Sequence, residues 1–232
     1  ADPEYLRAAR ELTQRHGALL VIDEIITGFR FAAGGAQRLF GVQGDLSTYG
    51  KVIGGGMPLS AVVGRAEVMD LASKSSSKRV LFNGGTFSAH PASLLAAKMN
   101  LQHLAENAAQ IYPRLGELGA SLRAGIERAF ADHGVLARCT GGPNEAVTAS
   151  SLIQVHFPYR EDACLDCPEM VWDPQQSDTV LREQVLRLGL VLRGVNVSHG
   201  LGAISTAHSE ADLQHTLEAF DWIAGQIAEA RA

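Results

Sequence analysis

Apolar positions follow helical spacing in some stretches of the chain and cluster or alternate in others. Residues 3–15 carry the three- and four-residue period, and Gly17 stands where a left-handed residue closes a helix. Residues 19–22 form a continuous apolar run, the pattern of a parallel strand buried on both faces. A helix followed by such a strand is the second half of a βαβ unit. Further short strands are expected over 45–49 and 59–64, and a short helix over 67–72. The polar, low-complexity stretch 73–79 is expected to be a mobile surface loop. Pro91 opens a helix that continues to Ala105. A second long helix is expected over 111–133, with Leu115, Leu118, Leu122, Ile126 and Phe130 along one face. Residues 151–157 alternate as a strand, 177–188 form a helix closed by Gly189, and 190–195 form a strand. Ser209, with Asp212 three residues on, caps a last helix running to about residue 230. No internal repeat is visible. The boundary between two domains, 1–106 and 107–232, is placed between the two long central helices.

Composition narrows the class. Hydrophobic residues make up 46% and charged residues 19% of the 232 positions, as in an ordinary globular protein. A net charge of −5 argues against a nucleic-acid surface. No apolar run approaches the length of a membrane span, and no signal-peptide pattern opens the sequence. Cys139, Cys164 and Cys167 are an odd set in a chain this large, so no disulfide framework is expected. Cytoplasmic localisation is the expectation. The lone Cys164-Leu165-Asp166-Cys167 pair has no second pair or histidine cluster to complete a zinc site, so no metal is expected. The histidines at 90, 103, 133, 156, 199, 208 and 215 show no pairing on one helix face.

The candidate chemistry lies in two segments. Ala18-Leu19-Leu20-Val21-Ile22 ends in Asp23-Glu24, and Lys51 stands in Ser47-Thr48-Tyr49-Gly50-Lys51-Val52-Ile53-Gly54-Gly55-Gly56-Met57-Pro58. Each piece alone has a plain reading: a strand end, a solvated lysine, a glycine-rich turn. The lysine precedes the glycines, so this is not a phosphate-binding Walker loop. A dinucleotide-binding fold would need G-x-G-x-x-G after its first strand, which is absent. Together and in this order, the segments suit a lysine that forms a Schiff base with pyridoxal 5'-phosphate (PLP) and an aspartate that pairs with the protonated pyridine nitrogen. Gly50 and Gly54 to Gly56 let the backbone bend around the lysine, and a β-branched residue at Gly55 would be hard to accommodate if φ is positive there. Alternation along the strand sets Asp23 and Ile25 on one face and Glu24 on the other.

With Asn83-Gly84-Gly85-Thr86-Phe87-Ser88 and Ile204-Ser205-Thr206-Ala207-His208-Ser209 added, the chain resembles the class-III PLP-dependent aminotransferases, nearest the glutamate-1-semialdehyde 2,1-aminomutase group. The similarity runs from about residue 18 to the C-terminus. It implies an α/β, fold-type-I PLP-dependent transferase: a mainly parallel sheet flanked by helices, with a smaller C-terminal α/β domain. Residues 1–106 would then be the C-terminal part of the large PLP-binding domain, and 107–232 the small domain. The resemblance implies Lys51 as the catalytic residue, Asp23 on the pyridine nitrogen, Ile25 under the ring, and Gly85 and Thr86 on the phosphate. In the resembling enzymes this threonine reaches the cofactor of the partner subunit, which implies a homodimer with shared sites. His199 and His208 would lie toward the active-site entrance.

The implied activity is amino-group transfer between a small-molecule amino donor and a carbonyl acceptor. Family members are roughly twice as long, so the chain is expected to be the C-terminal half of such an enzyme. The upstream half would then hold most of the phosphate grip and the ring that stacks on the cofactor. One segment departs from the aminomutase pattern: residues 195–203 carry neither the glutamate nor the proline found there in the aminomutases. Transamination, intramolecular amino transfer, and a non-catalytic chain that keeps part of the fold all remain open at this point.

Overall fold

The computed structural model describes residues 2–73, 77–78, 80, 85–165, 167–197 and 201–231. Parts of the expected surface loop (74–76 and 79), Asn83-Gly84 and His199 lie outside the described residues. The chain divides into two compact units, one of residues 1–112 with 145–147, the other of 113–144 with 148–232. The division falls inside a long helix, between Tyr112 and Pro113. Among the described residues no helix is long and apolar enough to cross a membrane.

In the first unit, α1 (Pro3–Arg15) begins where the Asp2 carboxylate accepts the Glu4 N–H and ends before Gly17, whose φ is +63°. It leads to β1 (Val21–Glu24), α2 (Gly35–Phe40), β2 (Leu46–Tyr49), a 3₁₀ turn (Lys51–Gly54), β3 (Ala61–Gly64), α3 (Ala66–Met69) and α4 (Pro91–Glu106). β1 pairs parallel with β2, with Asp23 opposite Thr48, and β2 pairs antiparallel with β3. The sheet order is β1-β2-β3. The strand expected over 19–22 instead starts at Val21 and includes both carboxylates. It is not buried on both faces: Val21 is 54% exposed and Leu19 is 50% exposed.

Asp45 fastens this unit at the head of β2. Its carboxylate accepts the Leu20 N–H at 2.8 Å and pairs with Arg10 at 2.9 Å and Arg65 at 3.0 Å. The Leu20 N–H and the two guanidiniums hold its pKa down to about 2.

In the second unit, α5 (Ala108–Asp132) continues past the division and packs with an antiparallel sheet of β4 (Arg138–Thr140), β5 (Leu152–His156) and β6 (Leu201–Ala203). α6 (Pro168–Trp172), a π-helical turn (Leu181–Leu186), α7 (Arg187–Leu192) and α8 (Glu210–Arg231) complete it. Phe130 is fully buried and meets the Phe157 and Phe220 rings edge-on at 5.1 and 6.2 Å. Ile126, Val155, Leu186, Leu190, Ile223 and Ala224 extend this core.

The strand expected over 190–195 does not form, and Gly189 does not end the helix. The helix runs to Leu192 and turns at Gly194, where φ is +77°. Gly189 is an approach point: a Cβ there would stand 2.9 Å from Ile223 Cγ1 of α8. The apolar run Leu190-Val191-Leu192 is therefore helical, with Leu190 buried.

Candidate active site

The end of β1 sets two adjacent carboxylates to different tasks. Glu24 is fully buried. It accepts the backbone N–H groups of Ala36 at 3.1 Å and Gln37 at 2.8 Å, and a hydrogen bond from the Thr27 hydroxyl. Those N–H groups belong to the first turn of α2, which has no side-chain cap of its own. Glu24 supplies that cap from twelve residues upstream, so its negative charge lies at the positive end of the helix. Gly35 makes this possible, because a Cβ there would meet Glu24 Oε1 at 2.8 Å.

Asp23 alternates to the other side and is exposed. The Ile25 N–H and the Thr48 hydroxyl both donate to its Oδ1, each at 2.9 Å. Oδ2 accepts no hydrogen bond among the described residues. The Ile25 N–H first, then the Thr48 hydroxyl, and to a smaller extent the charge of Lys51, lower the Asp23 pKa below its ordinary value. Each of these favours the ionised form. One oxygen is thus held by the protein while the other is presented outward.

Ile25 stands one residue beyond β1, where its N–H turns back onto Asp23. Its half-buried side chain packs at Gly50: a Cβ on that glycine would lie 3.3 Å from Ile25 Cγ2. The residue preceding Lys51 is therefore in contact with the residue following the Asp-Glu pair.

Lys51 is exposed and opens the 3₁₀ turn with φ +50°. A left-handed conformation costs a non-glycine residue about 1 kcal/mol or more and persists only where surrounding structure enforces it. The enforcement is visible. Asn100 of α4 donates from Nδ2 to the Val52 carbonyl at 2.7 Å, and Ile53 is buried. Gly55, at φ +58°, lies so close to α4 that a Cβ would stand 2.9 Å from both the Ala96 carbonyl oxygen and Asn100 Cβ. The condition set for Gly55 in the sequence, a positive φ, is met.

Asp23, Ile25 and Lys51 are therefore brought together, on β1, its following turn and the loop after β2. Gly85 and Thr86 stand in the turn before α4, and both are exposed. No hydrogen bond among the described residues ties them to Asp23 or Lys51. That turn is shaped by the Ser88 N–H donating to the Gly85 carbonyl at 2.9 Å and by Ala89 at φ +56°. Nothing in the sequence alone marks Thr48 or Asn100 as part of the site; each joins it through a contact between elements. The signal for Thr48 was the parallel pairing of two short strands, which sets it opposite Asp23.

Residues 1–141 match the aminotransferase class-III family. Glutamate-1-semialdehyde 2,1-aminomutase of Halobacterium salinarum is 34% identical over 239 residues, covering 93% of this chain and 51% of that protein. The crystal structure of an omega-transaminase from Sphaerobacter thermophilus superposes with a TM-score of 0.78 at 31% identity, covering 99% of this chain and 49% of that one. A transaminase with PLP bound gives a TM-score of 0.77 at 30% identity, covering 100% of this chain and 50% of that one. The chain spans about half the length of the curated relatives it matches. With the match extending over residues 1–141, the chain belongs to the class-III aminotransferase family.

Proposed function

We propose that the protein carrying this chain is a PLP-dependent aminotransferase, with Lys51 as its catalytic residue and PLP its cofactor. The observation that carries this reading is the placement of Asp23 within electrostatic reach of Lys51: a carboxylate favoured in its ionised form with one oxygen presented, and an exposed primary amine held in a left-handed turn. This donor set fits PLP, which offers a carbonyl carbon to an amine and a protonated pyridine nitrogen to a carboxylate. When bound, PLP supplies an electron sink for the carbanion created when an amino-bearing carbon loses its proton. Lys51 would hold the cofactor through Nζ and, once released by the incoming amino group, carry the proton as a neutral amine. Asp23 would keep the pyridine nitrogen protonated through Oδ2, Ile25 would pack against the ring, and Gly85 and Thr86 would contact the phosphate. A homodimer in which Thr86 serves the neighbouring site belongs to the same proposal.

Borohydride reduction of the PLP-loaded whole protein tests it. The cofactor is expected on the Lys51 peptide by mass spectrometry, and Lys51→Ala is expected to have no measurable turnover. Cofactor found on another lysine, or on none, overturns the assignment.

Intramolecular amino transfer is the second reading, favoured by the aminomutase relative from Halobacterium salinarum. The absence of a carboxylate from residues 195–203 weighs against it. Incubation with glutamate-1-semialdehyde alone, set against pairs of amino donors and carbonyl acceptors, separates the two.

A further inference from the structure

We infer that Thr48 is a positioning residue for the reaction, one that aims the Asp23 carboxylate by engaging Oδ1 so that Oδ2 faces the cofactor's pyridine nitrogen. The inference rests on the PLP reading above and extends it to a residue outside the Asp-Lys pair.

Three observations carry it. The parallel register sets Thr48 directly opposite Asp23, so their proximity is fixed by the β1–β2 ladder. The Thr48 hydroxyl donates to Oδ1 at 2.9 Å, the same atom that receives the Ile25 N–H at 2.9 Å. Two donors on one oxygen fix the rotation of the carboxylate and fill the outward lone pairs of that atom, which leaves the other oxygen as the open acceptor. A β-branched residue also suits the task, because its χ1 is stiff in a strand and the hydroxyl does not swing away.

Thr48 is also three residues before Lys51 on the same strand and loop. β2 therefore carries the group that aims the carboxylate and leads directly into the turn that holds the lysine. A shift of β2 against β1 would move both together. The ionised state of Asp23 depends on the same hydroxyl: the Ile25 N–H, the Thr48 hydroxyl and the charge of Lys51 favour the carboxylate, and burial opposes it. Among the described residues Lys51 is the charged group that reaches Asp23.

The test compares Thr48→Val, which keeps the shape and loses the hydroxyl, with Thr48→Ala and Thr48→Ser in the PLP-loaded whole protein. Four measurements are made: borohydride labelling of Lys51, the dissociation constant of PLP, kcat and KM, and the pH dependence of cofactor retention. Labelling of Lys51 is expected in every variant. Thr48→Val and Thr48→Ala are expected to raise the PLP dissociation constant and lower kcat by about three- to tenfold with KM little changed, the range of one modest hydrogen bond. The acid side of cofactor retention should move to higher pH in both, because the ionised carboxylate has lost a donor. Thr48→Ser should restore all three quantities. A merely structural threonine would leave the acid limb where it is. If Lys51 is labelled and Thr48→Val matches the wild type within twofold, the inference fails alone. A Thr48→Ser variant as impaired as Thr48→Val overturns it as well. If wild-type Lys51 is not labelled, the PLP reading itself fails.

Discussion

Replacing Asp23 by asparagine keeps the shape of the side chain and removes its charge, so it isolates what the carboxylate contributes. The Ile25 N–H and the Thr48 hydroxyl can still reach an amide oxygen, and the local turn should survive. The charge on the outward atom does not. A hydrogen bond to a charged group is typically worth about 1.5–3 kcal/mol. Asp23→Asn is therefore expected to retain PLP more weakly and to lose at least about tenfold in rate, which corresponds to about 1.4 kcal/mol. Steady-state kinetics and PLP titration of the whole protein check this, and wild-type values would remove Asp23 from the site. The neighbouring carboxylate is expected to behave differently. Glu24 is buried and committed to the first turn of α2, so its loss should appear in folding rather than in cofactor affinity.

Between elements, the decisive contacts are close approaches and buried polar pairs. Gly189 lets α7 approach α8, and Gly189→Val would drive a branched side chain into Ile223. The expected loss is about 1–3 kcal/mol of stability, the range for overpacking, measured by denaturant unfolding. His156 on β5 joins β4 and the π-helical turn. Its Nε2 lies 2.8 Å from the Thr140 hydroxyl, and its Nδ1 lies 3.1 Å from the fully buried Arg182 guanidinium. Arg182 donates, so Nδ1 accepts and the ring is neutral. Burial, then the charges of Arg182 and Arg138, push its pKa down to about 4. The unfolded chain binds the proton near pH 6.5, and the folded chain resists until about pH 4. Stability is therefore expected to fall as the pH drops from about 6.5 to about 4, with His156→Gln flattening that slope in thermal melts.

The same scale shows what the sequence disclosed. α1 and α4 were legible because proline at the first turn signals their starts in the chain itself. α2 was not, because its cap is Glu24, twelve residues away. β4 and β6, three residues each, are too short to show a period. Gly189 reads as a helix end because a glycine that closes a helix and one that admits a neighbouring helix look alike in a single sequence. Asp23 and Lys51 were legible through their motifs. Thr48 was not, because its partner is set by strand register.

At the scale of the whole molecule, the two units differ in how much core each holds. The second unit buries a cluster built on Ile126, Phe130, Val155, Leu186, Leu190 and Ile223. In the first, the buried apolar side chains among the described residues are Val42, Ile53, Ala97, Ile111, Tyr112 and Val147. Its sheet has the order β1-β2-β3, so among the described residues the outer edges of β1 and β3 have no strand partner. Val21, Val62 and Val63 on those strands are exposed, as are Leu95 and Met99 on α4. Open strand edges beside apolar surface are templates for association between chains. Cofactor affinity is expected to suffer in the same unit, since Gly85 and Thr86, the proposed phosphate contacts, are exposed. Residues 1–232 expressed alone are therefore expected to aggregate or fold incompletely, to bind PLP weakly, and to show no transaminase activity. Size-exclusion chromatography, PLP titration and an amino-donor assay on that preparation check the three parts separately. A soluble species that binds PLP at low micromolar concentration and turns over an amino donor would show that the three-stranded sheet and the Asp23–Lys51 pair suffice by themselves.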